Sequence, residues 1–240
     1  MKAIKIRIVY LFFLTVLWGL SGCTLFGLDL QEDYDRTPHT LDPKLNRTAW
    51  QYLKDRATGT SSDNLIFSRM LEGIRYAEID SNEYKKPGRT YIFLHNDAIS
   101  RGSTPPNDSF FGANLVNGKA ATNWNSYSKE FVRRYFEYLI IEGEYSHYTL
   151  PPIQSVTVKT LAPAGSLSAL PTGVTRHSSS AFSPNPESQM TLQVLNSSPS
   201  NTSDYPVQLN GVRNVRTSSL LATNGVVHVI DRFLTTTVPQ

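Results

Sequence analysis

The chain of 240 residues contains a single cysteine, Cys23. No intramolecular disulfide can form, so the fold must be held by its core alone. The composition permits this, with 40% apolar and 18% charged residues placing the chain among globular proteins. About 218 residues follow position 22, long enough to bury a core as one large domain or two small ones.

The position of that cysteine is as informative as its solitude. Residues 1–22 begin with Lys2, Lys5 and Arg7, run uncharged from Ile8 to Leu20 and end in Ser21-Gly22. This is the layout of a signal peptide, and a run of thirteen apolar residues is shorter than the roughly 20 needed to span a bilayer as a helix. Leu20-Ser21-Gly22-Cys23 resembles the lipobox of bacterial lipoproteins, which implies cleavage before Cys23 and a lipid anchor on its thiol. Outside that resemblance, a lone exported cysteine reads as a leftover thiol or an intermolecular disulfide. The next stretch, Thr24 to Thr40, turns acidic through Asp29, Glu32, Asp33 and Asp35 and reads as a flexible tether. Acids behind a lipidated cysteine resemble the surface-export signal of Bacteroidota lipoproteins, whereas on physical grounds alone they keep a linker solvated. The expected organisation is a signal peptide at 1–22, a lipidated cysteine and tether at 23–44, and a folded domain at 45–240. The expected location is the cell envelope, at the outer membrane and open to surface display.

Charge excludes one class of partner. The formal net charge is +3, from 23 basic and 20 acidic residues, and the leader carries three of the bases and no acid. The remaining chain is neutral, so it lacks the basic field that draws proteins to nucleic acid.

Within the domain, apolar spacings of three and four predict a helix from Thr48 bearing Trp50, Leu53 and Ala57, ended by Gly59. A second helix, capped by Asp63, is expected with Ile66, Phe67, Met70, Leu71, Ile74 and Ala77 on its apolar face. Arg89 to Leu94 suits a strand after the Pro87-Gly88 break. Residues 100–126 read as irregular. Ser126 or Ser128 can cap a third helix carrying Phe131, Val132, Tyr135, Phe136 and Leu139. Four strands are then expected at Ser155–Leu161, Met190–Leu195, Val207–Leu209 and Val226–Ile230. The stretch 162–188 is too rich in Ser, Pro, Ala and Gly to pack a core and reads as a long exposed loop. Four Asn-x-Ser/Thr sequons, at Asn46, Asn107, Asn196 and Asn201, carry no expectation of glycosylation in a bacterial lipoprotein.

The C-terminal run Ala222 to Leu234 contains Asn224-Gly225, a turn pair tolerant of positive φ. Alternation then sends Val227, Val229 and Asp231 to one face of a strand and Val226, His228 and Ile230 to the other. This run closely resembles the second signature motif of fasciclin domains. Arg89 to Ile99 sits where that family's first motif belongs, although Phe93-Leu94-His95-Asn96 replaces its usual Phe-Ala-Pro-Thr core. Thr48-Ala49-Trp50 with Leu53, Phe67 with Met70-Leu71, and Tyr138 to Tyr145 resemble further segments of the family. Together these span most of residues 45–238. The resemblance implies a single α+β domain, a twisted two-sheet β-wedge with N-terminal and flanking helices. It also implies structural roles for Asn224, Gly225, His228 and Asp231, with His228 and Asp231 hydrogen-bonded inside the fold. The adhesion epitopes of animal members do not carry over, because Tyr138-Leu139 and Ser219-Leu220 stand at the matching positions.

Catalytic signals are sparse. His39, His95, His147, His177 and His228 are not paired at metal-ligand spacing, so no metal site and no cofactor are expected. Gly112 to Lys119 fails as a phosphate loop, with five residues between its glycines and Ala120 after the lysine. No Gly-x-Ser-x-Gly elbow is present. His95, Asn96 and Asp97 read most simply as a strand end followed by an Asx turn. The expectation is therefore a binding module without catalytic residues, facing a protein or cell-surface partner. An accessory glycan-binding subunit of an outer-membrane nutrient-uptake system is the alternative, with Trp124, Tyr127, Tyr145 and Tyr148 as its aromatic platform. A third reading is an envelope hydrolase built from Glu142, Glu144 and Asp97.

Overall fold

A computed structural model describes residues 42–60, 65–102, 108–151, 154–195 and 206–237. The leader, Cys23, the tether, Asp63 and the sequons at Asn107, Asn196 and Asn201 lie outside the described residues. Asp42–Gln240 forms one compact unit, to which the following description applies.

Helix α1 (Ala49–Thr58) begins where local chemistry dictates. Thr48 Oγ1 accepts from the Gln51 amide at 3.2 Å, and Gln51 Oε1 accepts from the Thr48 amide at 3.0 Å, a reciprocal capping box. Its inward face is Ala49, Leu53 and Ala57, with Trp50 only partly buried. Helix α2 (Ser68–Tyr76) starts later than the apolar spacing suggests, because Phe67 turns its ring into the core instead of entering the helix. A side chain distant in sequence caps it: Asn96 Oδ1 accepts from the Arg69 amide at 3.0 Å.

After a 3-10 turn at Ser81–Tyr84, strand β1 (Arg89–Leu94) enters the core, buried on both faces from Thr90 onward. His95 caps the short helix α3 (Asn96–Ile99), its Nδ1 accepting from the Asp97 amide at 3.2 Å. The described stretch 108–126 is more ordered than its composition suggests. Ser109 caps helix α4 (Phe110–Ala113), and β2 (Asn114–Val116) pairs with β3 (Lys119–Ala120) across Asn117-Gly118. Both turn residues have positive φ, 50° and 77°, as a two-residue hairpin turn of this kind requires. Helix α5 (Lys129–Tyr138), capped by Ser128, buries Val132, Tyr135, Phe136 and Tyr138.

The remaining strands are β4 (Ile140–Glu142), β5 (Val156–Lys159), β6 (Val174–Arg176), β7 (Gln189–Val194), β8 (Val207–Leu209), β9 (Arg213–Asn214), β10 (Thr217–Ala222) and β11 (Gly225–Ile230). The fold is α+β, with three sheets among the described residues where two were expected. Their orders are β10-β11-β1-β4, β3-β2-β6 and β5-β7-β8-β9. The first is joined to the third by a bridge between Ile141 and Thr160. At the centre of the first sheet β1 and β11 run parallel, in register from Arg89 opposite Gly225 to Leu94 opposite Ile230. Every residue of β11 is buried, as expected of a strand covered on both faces.

The stretch 162–188 is not a free loop. Val174–Arg176 pairs with the otherwise open edge of β2, Leu167 bridges to Asn185, and Ala162, Leu167, Asn185 and Ser188 are buried. Composition concealed this, because the strand it contributes is only three residues long. Beneath it an aromatic cluster centres on Phe110, whose ring lies 4.6 Å from Tyr135, 5.0 Å from Trp124, 5.4 Å from Tyr127 and 5.8 Å from Phe233. Gly73 of α2 lets this cluster close, since a Cβ there would stand 2.6 Å from the Phe136 ring and 2.7 Å from Trp124.

Candidate functional site

The two motif strands meet in a seam whose polar groups are nearly all engaged. Asn224 Oδ1 accepts from the Ala49 amide at 2.8 Å, satisfying a first-turn donor of α1 that has no partner within its own helix. The Asn224 amide donates to the carbonyls of Tyr84 at 3.1 Å and Lys86 at 3.2 Å, and to the Tyr91 hydroxyl at 3.1 Å. One side chain thus ties α1, the 3-10 turn and β1 to the start of β11. Next to it, Gly225 has φ 149° and lies so close to the Arg89 carbonyl that any Cβ would collide with it.

His228 is fully enclosed. Its Nδ1 accepts from the Ser219 amide at 3.1 Å, so the hydrogen sits on Nε2, which donates to the Tyr145 carbonyl 2.8 Å away. Burial pulls its pKa down to about 4, assisted by the nearby His147, and it is neutral at physiological pH. Asp231 engages the fold through its main-chain carbonyl, which accepts from Arg101 at 3.2 Å.

Of the four aromatic residues proposed to form a platform, two belong to the core. Trp124 and Tyr127 are 2% and 4% exposed, packed around Phe110, with Trp124 Nε1 donating to the Arg69 carbonyl and the Tyr127 hydroxyl to that of Asn114. Their polar tips find partners inside, which is what allows rings of this type to be buried. A four-ring shelf therefore does not form. Tyr145 is half-buried and Tyr148 is 74% exposed.

Tyr148 stands on a loop that is firmly held. The Tyr145 amide donates to Thr90 Oγ1 at 2.8 Å, the Ser146 amide to Thr149 Oγ1 at 2.7 Å, and the His147 amide to Ser219 Oγ at 3.0 Å. Ser219 lies at an irregularity in the β10–β11 pairing, with φ 58°, and its hydroxyl is 2.8 Å from His147 Nδ1. A serine beside a histidine invites a nucleophilic reading. Here the serine is buried and its oxygen already receives the His147 amide, so the pair works as a clip between loop and strand. Sequence reading passed over this clip, and the two residues stand 72 positions apart with no local signal joining them.

Of the carboxylates considered for hydrolysis, Asp97 stands apart from Glu142. Glu142 pairs with Arg89 at the start of β1, and Asp97 follows its end, so strand length keeps them about 20 Å apart. Acid and base in a glycosidase stand within roughly 5 to 10 Å. Glu142 and Glu144 are both exposed. His95 and Asn96 are engaged in capping, and burial lowers the pKa of His95 against the opposing pull of Asp97. Among the described residues no cluster of three His, Cys, Asp or Glu is placed to hold a metal, and no helix is long and apolar enough to cross a membrane.

No protein-family model matches this chain, and no curated protein matches it.

Proposed function

We infer that this chain is a fasciclin-like binding module tethered by lipid at Cys23 to the cell envelope, where it acts by contact with a protein or cell-surface partner and not by catalysis. One observation carries the fasciclin-like part: the stretches that resemble the family's two signature motifs, Arg89–Leu94 and Gly225–Ile230, lie side by side in parallel register. A contact role is supported by the polar side chains of the second motif. Asn224 and His228 are consumed in holding the fold, which leaves them no free group for chemistry on a substrate. The contact surface is the loop carrying Tyr148, a rigidly clipped segment with an exposed tyrosine at its tip. Tyrosine on a pre-ordered loop offers large contact area at small entropic cost. The membrane is the second partner, through the anchor.

Two measurements test this reading. Intact-mass analysis of the protein from its host's membranes should show cleavage before Cys23 and a diacylglycerol mass on that residue; an unmodified thiol would overturn the tether. Full-length protein in mild detergent should capture its partner from envelope extract, and Tyr148→Ala should lower capture at least tenfold without altering the melting temperature. Unchanged capture would remove the Tyr148 loop as the contact surface.

A further inference from the structure

Arg176 ends β6, where pairing with Asn114 of β2 carries it into the aromatic cluster. Its Cζ lies 4.8 Å from the Phe233 ring centroid and 5.9 Å from that of Phe182. Nε and Nη1 are buried and have no hydrogen-bond partner. The groups that act electrostatically on it are the hydroxyls of Tyr135 and Tyr127, and both already donate to main-chain carbonyls, of Leu234 and Asn114. Burial pulls its pKa down to about 10, so it keeps its charge at neutral pH. A buried guanidinium with several donors and, among the described residues, no carboxylate beside it is a costly arrangement unless something anionic completes it.

The space beside it has the shape of an answer. A small enclosed pocket of about 20 Å³, bounded by Arg176, Phe110, Phe131, Tyr135, Leu167 and Phe182, has room for about one water. It shares Phe131, Ser166, Ala169 and Leu170 with a cleft of about 420 Å³ between the start of α5 and Pro163–Pro171. That volume falls in the range of small-molecule sites, and Pro163, Ala164, Ala169, Leu170 and Pro171 make much of its wall apolar. Arg134, at the cleft, is held by Glu130 at 2.5 Å and Glu137 at 2.7 Å, so it does not compete for an anion.

We propose that this cleft and Arg176 form a binding site for a small organic carboxylate, its apolar body lying between α5 and Pro163–Pro171 and one water-sized oxygen of its head group entering the small pocket against the Arg176 guanidinium. The carboxylate supplies the missing counter-charge and accepts from the unpartnered nitrogens, and the apolar walls select a hydrocarbon or aromatic body over a free inorganic anion. Asn114 Oδ1, also buried and unpartnered, is an acceptor and adds no negative charge. The site is separate from the Tyr148 loop and does not depend on the tether.

Hexanoate and 1-hexanol, matched in tail and different in charge, test this on the full-length protein in mild detergent by titration calorimetry. Hexanoate should bind with saturation at one site and at least tenfold more tightly than 1-hexanol, and Arg176→Met should abolish that difference. Equal binding of the two, binding of neither, or wild-type hexanoate affinity in Arg176→Met would overturn the proposal. Should Arg176→Met not fold, Leu170→Trp, which fills the cleft while leaving the guanidinium, should block hexanoate, and unimpaired binding there would overturn it equally. A crystal structure grown with hexanoate that showed Arg176 turned onto Asn114 and an empty cleft would do the same.

Discussion

The β1–β11 seam and the crevice at Arg176 treat buried polarity in opposite ways. In the seam, Asn224 makes four hydrogen bonds and His228 two, all but the one from Ser219 to a partner distant in sequence. In the crevice, a guanidinium of greater desolvation cost leaves two nitrogens unmatched. A buried polar network that is satisfied specifies a fold, whereas one left open weakens it unless a ligand completes it. The most legible motif in this chain is thus spent on architecture, and the group best placed for an anionic ligand comes from a stretch whose composition suggested a loop.

The sharpest way to break this contrast is Gly225→Ala. The new Cβ would meet the Arg89 carbonyl at a backbone angle that essentially only glycine adopts, and a loss of about 4 kcal/mol or more is expected. Urea denaturation and soluble yield measure it; a near-normal midpoint would show that the seam is looser than described. Asn224→Ala should cost about 3 kcal/mol, since it strands the Ala49 amide and the Tyr84 carbonyl, while the Lys86 carbonyl keeps the Tyr91 hydroxyl. Asn224→Asp keeps the acceptor but sets a buried carboxylate against the Tyr84 and Lys86 carbonyls, so its urea midpoint should fall to that of Asn224→Ala or below.

The third test uses pH. With a folded pKa of about 4 against the ordinary histidine value of 6.5 in the unfolded chain, the unfolded state binds more protons between those limits. Stability should therefore rise from pH 4 to pH 6.5 and level off above it, the difference from His228 being about 3 kcal/mol. His95, whose pKa is also lowered, adds a slope of the same sign. Urea midpoints at pH 4.5 and 7 should differ less in His228→Gln than in the wild type; equal slopes would place the proton elsewhere. The smallest effect has the opposite sign. Without ligand, Arg176→Met should be neutral or stabilising by about 1 kcal/mol, because it removes an unpaired buried charge while keeping the hydrocarbon stem. A large loss of melting temperature would mean that the guanidinium is already satisfied and the contrast is false.

Parts of this arrangement were legible in residue order because they depend on neighbours. Thr48 and Ser128 cap the helices they precede, and Val207–Leu209 is a strand with the expected bounds. Asn117-Gly118 carries an equally local hairpin signal that the reading of 100–126 as irregular passed over. Other parts had no local signature. Strand β10 begins Thr217-Ser218-Ser219, poor in branched apolar residues, and is a strand because β11 offers it an edge. The cap of α2 comes from Asn96, 27 residues beyond the amide it binds. Trp124 and Tyr127 looked like loop aromatics, and their polar tips would suit a surface as well as a core; only the carbonyls of Arg69 and Asn114 waiting inside decide between the two.

What this sequence determined by itself was the exclusion of disulfides and the capped starts of two helices, consequences of covalent chemistry or of contacts within a few residues. The tertiary structure alone decided which aromatic rings are inside, that the Ser/Pro-rich stretch supplies a strand, and where Arg176 comes to rest. Burial is a property of surfaces that meet from distant parts of the chain, and no short window of residues contains both of them.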